Sequence, residues 1–164
     1  MAAVDYFLKL DGISGESKDS KHKGEIEVLS FSFGETQSRP SGIGSGGGGA
    51  GKVQMSDFSF TARTTKASPQ LFLSCAQGKH LKQAILTVRK AGGSQQEYLI
   101  IKLNDVLVSS YALGGSEGGA DGDPQDVFSL NFVKLSYDFK PQKADGSLDA
   151  PVHAGWDTFK NVKI

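Results

Sequence analysis

The chain has 164 residues, 38% of them hydrophobic and 9% aromatic, enough to bury one sizeable core and too few to suggest two. Lysine plus arginine and aspartate plus glutamate both number 18, so no net field gathers nucleic acid or holds the chain on an anionic membrane surface. The single cysteine, Cys75, excludes an internal disulfide framework and fits a buried thiol in a protein that folds in a reducing cytoplasm. Residues 1–17 lack the basic region, apolar run and cleavage site of a secretory signal, and no stretch is long and apolar enough for a membrane-spanning helix. The expectation is one domain over residues 1–164, with no membrane insertion.

In chain order, residues 4–11 alternate: Val4, Tyr6, Leu8 and Leu10 share one face and Asp5, Lys9 and Asp11 the other, interrupted only by Phe7. That pattern predicts a half-buried strand. Strands are also predicted over residues 25–36, 53–63, 81–90, 96–103, 106–113 and 126–140, where β-branched and aromatic residues run between glycine and polar clusters. One short helix is predicted over residues 69–77, with Ser68 capping its free amides, Pro69 at its first position and Gly78 closing it. Leu71, Phe72 and Cys75 would face inward.

Three of these strands change parity. Ile26 and Val28 sit on even positions, then Leu29, Phe31 and Phe33 on odd ones. Val53 and Met55 are odd, then Phe58, Phe60 and Ala62 even, and a third switch falls between Phe132 and Val133. A switch means a bulge that bends the strand, or a strand whose two halves bury opposite faces. Either arrangement needs cover on more than one side, and in so short a chain a partner subunit is the economical source.

Apparent catalytic motifs lack their context. Residues 46–53, GGGGAGKV, follow the phosphate-loop spacing up to Lys52, but Val53 replaces the magnesium-binding serine or threonine and a strand pattern follows where a helix is required. Residues 38–52 therefore read as a glycine-rich loop that works through partner contact. Ser116 lies in a GGSEG pentad without the helix a nucleophile elbow leads into. Asp121, Asp123 and Asp126 lack the glycine and glutamate of a calcium loop and read as a solvated turn. His22, His80 and His153 lie far apart, without zinc-site spacing. Trp156 reads as a core or interface anchor in preference to a ligand platform. No catalytic residue, cofactor site or metal is assigned, and a secreted ligand-binding β-sandwich is the competing class.

The blocks DYFLKLDGISGESKDSKHKGEIEVLSFSFGETQS, GGGGAGKVQMSDFSFT, ASPQLFLSCAQGKH, LTVRKAGG, EYLIIKLNDVLVSSY and PQKADGS…HAGWD, in this order along essentially the whole chain, closely resemble the haemolysin-coregulated protein (Hcp) family of type VI secretion tubes. The resemblance implies a mainly β fold, a β-barrel of two packed antiparallel sheets with one short α-helix, assembling into six-membered rings that stack into a hollow tube. It further implies synthesis in the cytoplasm, export through the type VI apparatus by a contracting sheath, a spike protein at the tip, small effector proteins in the lumen, and a structural, non-enzymatic role. After the switch in the second strand, Leu29, Phe31 and Phe33 should enter the core and leave Ser30 and Ser32 on the opposite face, which by resemblance lines the lumen and meets cargo. By the same resemblance, the loop with Ser38, Arg39, Gly42, Gly46, Gly49 and Lys52 should reach the next ring, and Lys52 would be a rim charge or a solvated stem. Its seven glycines are costly to order without a partner.

Overall fold

The computed structural model describes residues 3–38, 51–92, 94–117 and 122–164. Strand β1 covers Val4–Leu10, β2 Ile26–Ser32, β3 Glu35–Thr36, β4 Gln54–Met55 and β5 Phe58–Arg63; helix α1 covers Ser68–Gln77. Then follow β6 His80–Lys90, β7 Glu97–Gly114, β8 Gln125–Asn131, β9 Lys134–Phe139, β10 Val152–Asp157 and β11 Val162–Lys163. The order β7-β6-β1-β2-β5-β8 closes on itself because β8 also pairs with β7. The result is the expected antiparallel barrel, with its opposing walls joined in one continuous sheet of six strands. Strands β9, β10 and β11 leave this barrel as an open extension of the same sheet, and β3 and β4 form a separate small hairpin.

The barrel holds together by burying alternate side chains of every wall strand. Phe58, Phe60 and Phe128 stack at centroid distances of 5.0 and 5.3 Å among Leu8, Leu86, Leu103, Val106, Val108 and Leu130. Each such fully buried side chain contributes about 1.5–3 kcal/mol.

Each predicted parity switch marks a place where the wall bends or ends. In β2, Val28 pairs with Ala62 and Ser30 with Thr61, so Leu29 is the extra residue of a bulge. Leu29 is therefore 40% exposed, contrary to the expectation that it enters the core, whereas Phe31 and Phe33 do pack against the core. The predicted strand 53–63 breaks between Met55 and Phe58, where the chain passes from the β3–β4 hairpin into the barrel. The predicted strand 126–140 breaks at Phe132 and Val133, where it passes from barrel to extension. Conversely, the two strands predicted over 96–103 and 106–113 are one strand, with Asp105 at φ +53° absorbing the bend.

Helix α1 begins one residue earlier than predicted, and Ser68 is not its cap. Ala67 holds the cap position without a side-chain bond, because the Ser68 hydroxyl donates to the buried Asp126 carboxylate instead. Asp126 also accepts from Thr64 Oγ1 at 3.0 Å and from Tyr111 Oη at 2.9 Å, so three hydroxyls anchor the helix and its entry to the barrel. Burial, followed by the Asp126 contact, raises the Tyr111 phenol above its ordinary value. Gly78 closes the helix in the left-handed conformation, as expected. Leu71 is buried and Cys75 packs against the core, but Phe72, one residue round the turn, is 59% exposed and meets only the edge of Tyr111.

The connection between β1 and β2 is strapped down by charge. Arg89 on β6, buried, donates to both oxygens of Asp19 at 3.1 and 2.6 Å and to Asp5 at 3.0 Å, with its guanidinium 4.8 Å from the Phe7 ring centroid. The His22 ring stacks on Phe7 at 4.4 Å and meets Glu25 and, at 2.8 Å, Glu97. Gly15 lets the connection lie against β2: a Cβ there would come within 2.4 Å of the Glu25 carbonyl oxygen. Hydrogen bonding to Arg89 holds the Asp19 carboxyl well below the usual carboxylate range. A depressed folded value gives stability that is fully present above the unfolded value of about 3.9 and lost as the pH falls below it. Asp19→Asn should therefore lower the melting temperature near neutral pH, and the gap to the parent chain should close on acidification below about pH 4. A gap that stays constant over the acid range would contradict this role.

Candidate assembly surfaces

The outer face of β2, β5, β8 and β7 is built from small side chains because its two rows alternate with the phenylalanines inside. Ser32 pairs with Ser59, Ser59 with Ser129 and Ser129 with Ser110, which places four hydroxyls in one row across four strands. The neighbouring row runs Ser30, Thr61, Val127 and Ala112. Ser30 and Ser32 are both exposed, on the side opposite Phe31, as expected. A second bulge between Val108 and Ser110 brings Ser109 to the same edge, where its hydroxyl donates to Asp57 at 2.6 Å and meets Ser129 at 2.8 Å. Asn131 also donates to Asp57, at 3.0 Å. Serines bonded to one another and to Asp57 present a fixed, polar, low-relief surface.

In the sequence the glycine-rich segment connects β3 to β4. Ser38, Gly51 and Lys52 are described; Arg39, Gly42, Gly46 and Gly49 lie outside the described residues. Gly51 passes so close to Ser38 that a Cβ would stand 2.5 Å from the Ser38 hydroxyl and 2.9 Å from its carbonyl oxygen. Lys52 borders a small hollow of about 270 Å³ with Asp57, Asn131 and Thr158. The residues after it enter β4, so there is no helix N-terminus on the C-terminal side of Lys52 to bind phosphate.

The third surface went unseen in the sequence. The face of β7 that lines the barrel core continues onto β9 and β10 through two registers: Leu103, Leu135 and Trp156 form one row, and Leu99, Phe139 and Val152 another. Leu103 and Leu135 are buried, and the β3–β4 hairpin stands over their row across a groove of about 550 Å³ lined by Phe33, Met55, Tyr137 and Trp156. The second row has no such cover: exposure rises outward to 40% at Phe139 and 64% at Val152. Tyr137, in the row between these two, is also exposed. Trp156 is half-buried, with its indole N–H buried and without an acceptor. A core-type face left open in this way makes β9 and β10 a candidate interaction surface. Alternation at Leu135, Tyr137 and Phe139 was present in the predicted strand. The partner strand β10 was missed because His153, Ala154 and Gly155 interrupt its apolar pattern; Gly155 is needed where the Ile164 side chain crosses, 2.8 Å from a would-be Cβ.

The remaining candidates take no part in a chemical site. Ser116 lies exposed in a turn after β7. Asp126 is spent on three hydroxyls, Asp123 is exposed and Asp121 lies outside the described residues. His22 and His153 face carboxylates, the latter Asp138 at 2.7 Å, and His80 is exposed at the start of β6. Among the described residues no group of three or more histidine, cysteine or acidic side chains is arranged to hold a metal.

Comparison with known proteins identifies the family. The family described as type VI secretion system effector, Hcp, matches residues 7–139. Protein hcp1 of Pseudomonas aeruginosa is 52% identical over 163 residues, covering 98% of this chain and 99% of that protein. The fold matches a solved type six secretion system protein with a TM-score of 0.90 at 32% identity, covering 99% of this chain and all of that one. It matches Hcp1 from Salmonella typhimurium with a TM-score of 0.79 at 36% identity, over the full length of both chains. The chain belongs to the Hcp family of the type VI secretion system.

Proposed function

We propose that this chain is a structural, non-enzymatic subunit of the type VI inner tube: six copies form a ring, rings stack into a hollow tube, and the tube is expelled by the sheath behind a spike with small effector proteins inside. The observation that carries the ring is the open core face of β9 and β10, where Phe139, which meets only the edge of the Tyr98 ring among the described aromatic contacts, and Val152 continue a row from β7 yet stay 40% and 64% exposed. A second copy supplies that cover. The row of four hydroxyls through Ser32 and the neighbouring row of small side chains through Ser30 suit a wide wet channel, since small side chains leave room and hold no single partner tightly. Residues 38–52 join β3 to β4, a hairpin outside the barrel's own sheet, and serve as the contact to the next ring through backbone groups that pair with a strand edge.

The groove beside Trp156, about 550 Å³, falls in the size range of small-ligand sites, which keeps a ligand-binding module as the second reading. Mass separates the two. The tube reading expects an assembly of six chains of 17.4 kDa, and a monomer at micromolar concentration would favour the ligand-binding module. Replacing residues 41–50 with a two-residue turn should leave the ring intact while abolishing tube growth and export; normal stacking and export of the shortened chain would overturn the role given to the loop. Ser32→Gln should leave rings intact and reduce effector retention by about tenfold or more, the loss of about 1.4 kcal/mol of contact. Unchanged retention would remove Ser32 from the cargo surface.

A further inference from the structure

Three side chains are buried on the outer side of the barrel wall. Phe7 and Thr87 are in register, as are Asp5 and Arg89, and they alternate along β1 and β6 with the core residues Leu8, Leu86 and Val88, so they point out of the barrel. Phe7, Thr87 and Arg89 are nonetheless buried, because the connection from β1 to β2 lies over them. Asp19 closes on Arg89, and the His22 ring lies on Phe7, nearly parallel at 7° and 4.4 Å between centroids.

His22 is itself buried, and both of its ring nitrogens face acids. Nδ1 meets Glu25 Oε2, and Nε2 meets Glu97 Oε1 of β7 at 2.8 Å. The other charged groups around the ring are already accounted for. Asp5 and Asp19 are held by Arg89, whose guanidinium lies on the same Phe7 ring and which is in register with Glu97. Asp19 also accepts the His22 backbone N–H at 3.2 Å. Glu27, in register with Phe7 on β2, and Lys21 and Lys23 on either side of His22 are exposed to water.

A carboxylate only accepts, and a neutral imidazole has one N–H and one lone pair. Both bonds therefore form together only when His22, Glu25 and Glu97 hold two protons between them. That is one more than a neutral histidine and two carboxylates carry, wherever in the cluster the extra proton sits. Without it, one carboxylate faces a nitrogen lone pair in a site largely shut off from water, which is a repulsive contact. We infer that His22, Glu25 and Glu97 form a proton-operated latch: the extra proton holds the connection against the wall, and its loss lifts residues 15–25 from Phe7 while the barrel stays closed. Glu97 is the partner released, since its side chain is 32% exposed against 11% for Glu25. The latched state binds one proton more than the released one, so the latch holds at lower pH and weakens as the pH rises. Opening is local, because the core ladders of β1, β6 and β7 do not depend on the connection.

Amide hydrogen exchange on the assembled protein, corrected for the intrinsic pH dependence of exchange, tests this. The N–H groups of Gly15, Ser17 and Gly24 donate to Gly24, Glu25 and Ser17 and so report on the connection. Their protection should fall by about tenfold or more between about pH 6 and about pH 9, while that of Leu86 and Leu103 in the core does not change. Glu97→Gln separates a latch from a merely structural contact. The glutamine N–H donates to Nε2 while Nδ1–H donates to Glu25, so a ring with one proton satisfies both partners, and protection in this variant should stay high at the upper pH. A parent whose protection does not change with pH, a fall that Glu97→Gln shares, or a fall that extends to the core amides overturns the latch. Should the variant fail to fold, nitrogen-15 labelling of the histidine rings in the parent decides. The His22 ring signals should change in step with the loss of protection, and signals that stay constant through it overturn the latch.

Discussion

One constraint governs this molecule: a single edge of β7 is shared by two strands with different fates. Along residues 107–114 that edge takes β8 and closes the barrel; along residues 99–104 it takes β9 and begins an extension that does not close. Closure buries Phe58, Phe60 and Phe128 and supplies the core. The extension carries the same apolar face past the barrel to Phe139 and Val152, where the chain runs out of cover. Burial of about 25 cal/mol per Å² of apolar surface makes that open face a standing drive to associate. Fold stability and the proposed assembly thus draw on one sheet, and the boundary between them is the break at Phe132 and Val133.

The polar parts follow from the same geometry. Because side chains alternate, the strands that place phenylalanines inside the barrel present serines, threonines and small residues outside, from Ser32 across to Ser110. The charged strap of Arg89, Asp19 and Asp5 fixes the long β1–β2 connection, beside strands that pair with each other at two positions. The three hydroxyls on Asp126 do the same for α1. In each case a buried polar side chain, hydrogen-bonded to several partners, locates a segment that apolar packing alone would leave free to slide.

Much of this was legible in the sequence, and the exceptions share a cause. Alternation located the wall strands, and Gly78 located the end of the helix, since both signals are local. The parity switches correctly marked where the wall bends or ends, but period alone could not tell a bulge at Leu29 from a break at Ser56 or a turn at Val133; that depends on which partner strand is opposite. Ser68 was misassigned as a cap because its competitor, Asp126, is 58 residues away. The open face was missed for the same reason. Its two halves, Phe139 and Val152, belong to strands joined by an irregular connection, and β10 has the weak pattern of a strand near an edge. Ser30 and Ser32 could be placed on one face by counting, whereas their rows of partner hydroxyls required the register.

The central claim is that a neighbouring copy covers the open face of β9 and β10. A reconstruction of the assembled protein by electron cryomicroscopy, resolved well enough to see side chains, tests it most directly. The account predicts a six-fold ring in which Tyr137, Phe139 and Val152 are covered by the adjacent subunit while the row Ser32, Ser59, Ser129 and Ser110 faces the central hole. A ring in which that apolar face stays open to solvent, or in which the hydroxyl row turns outward, would contradict it.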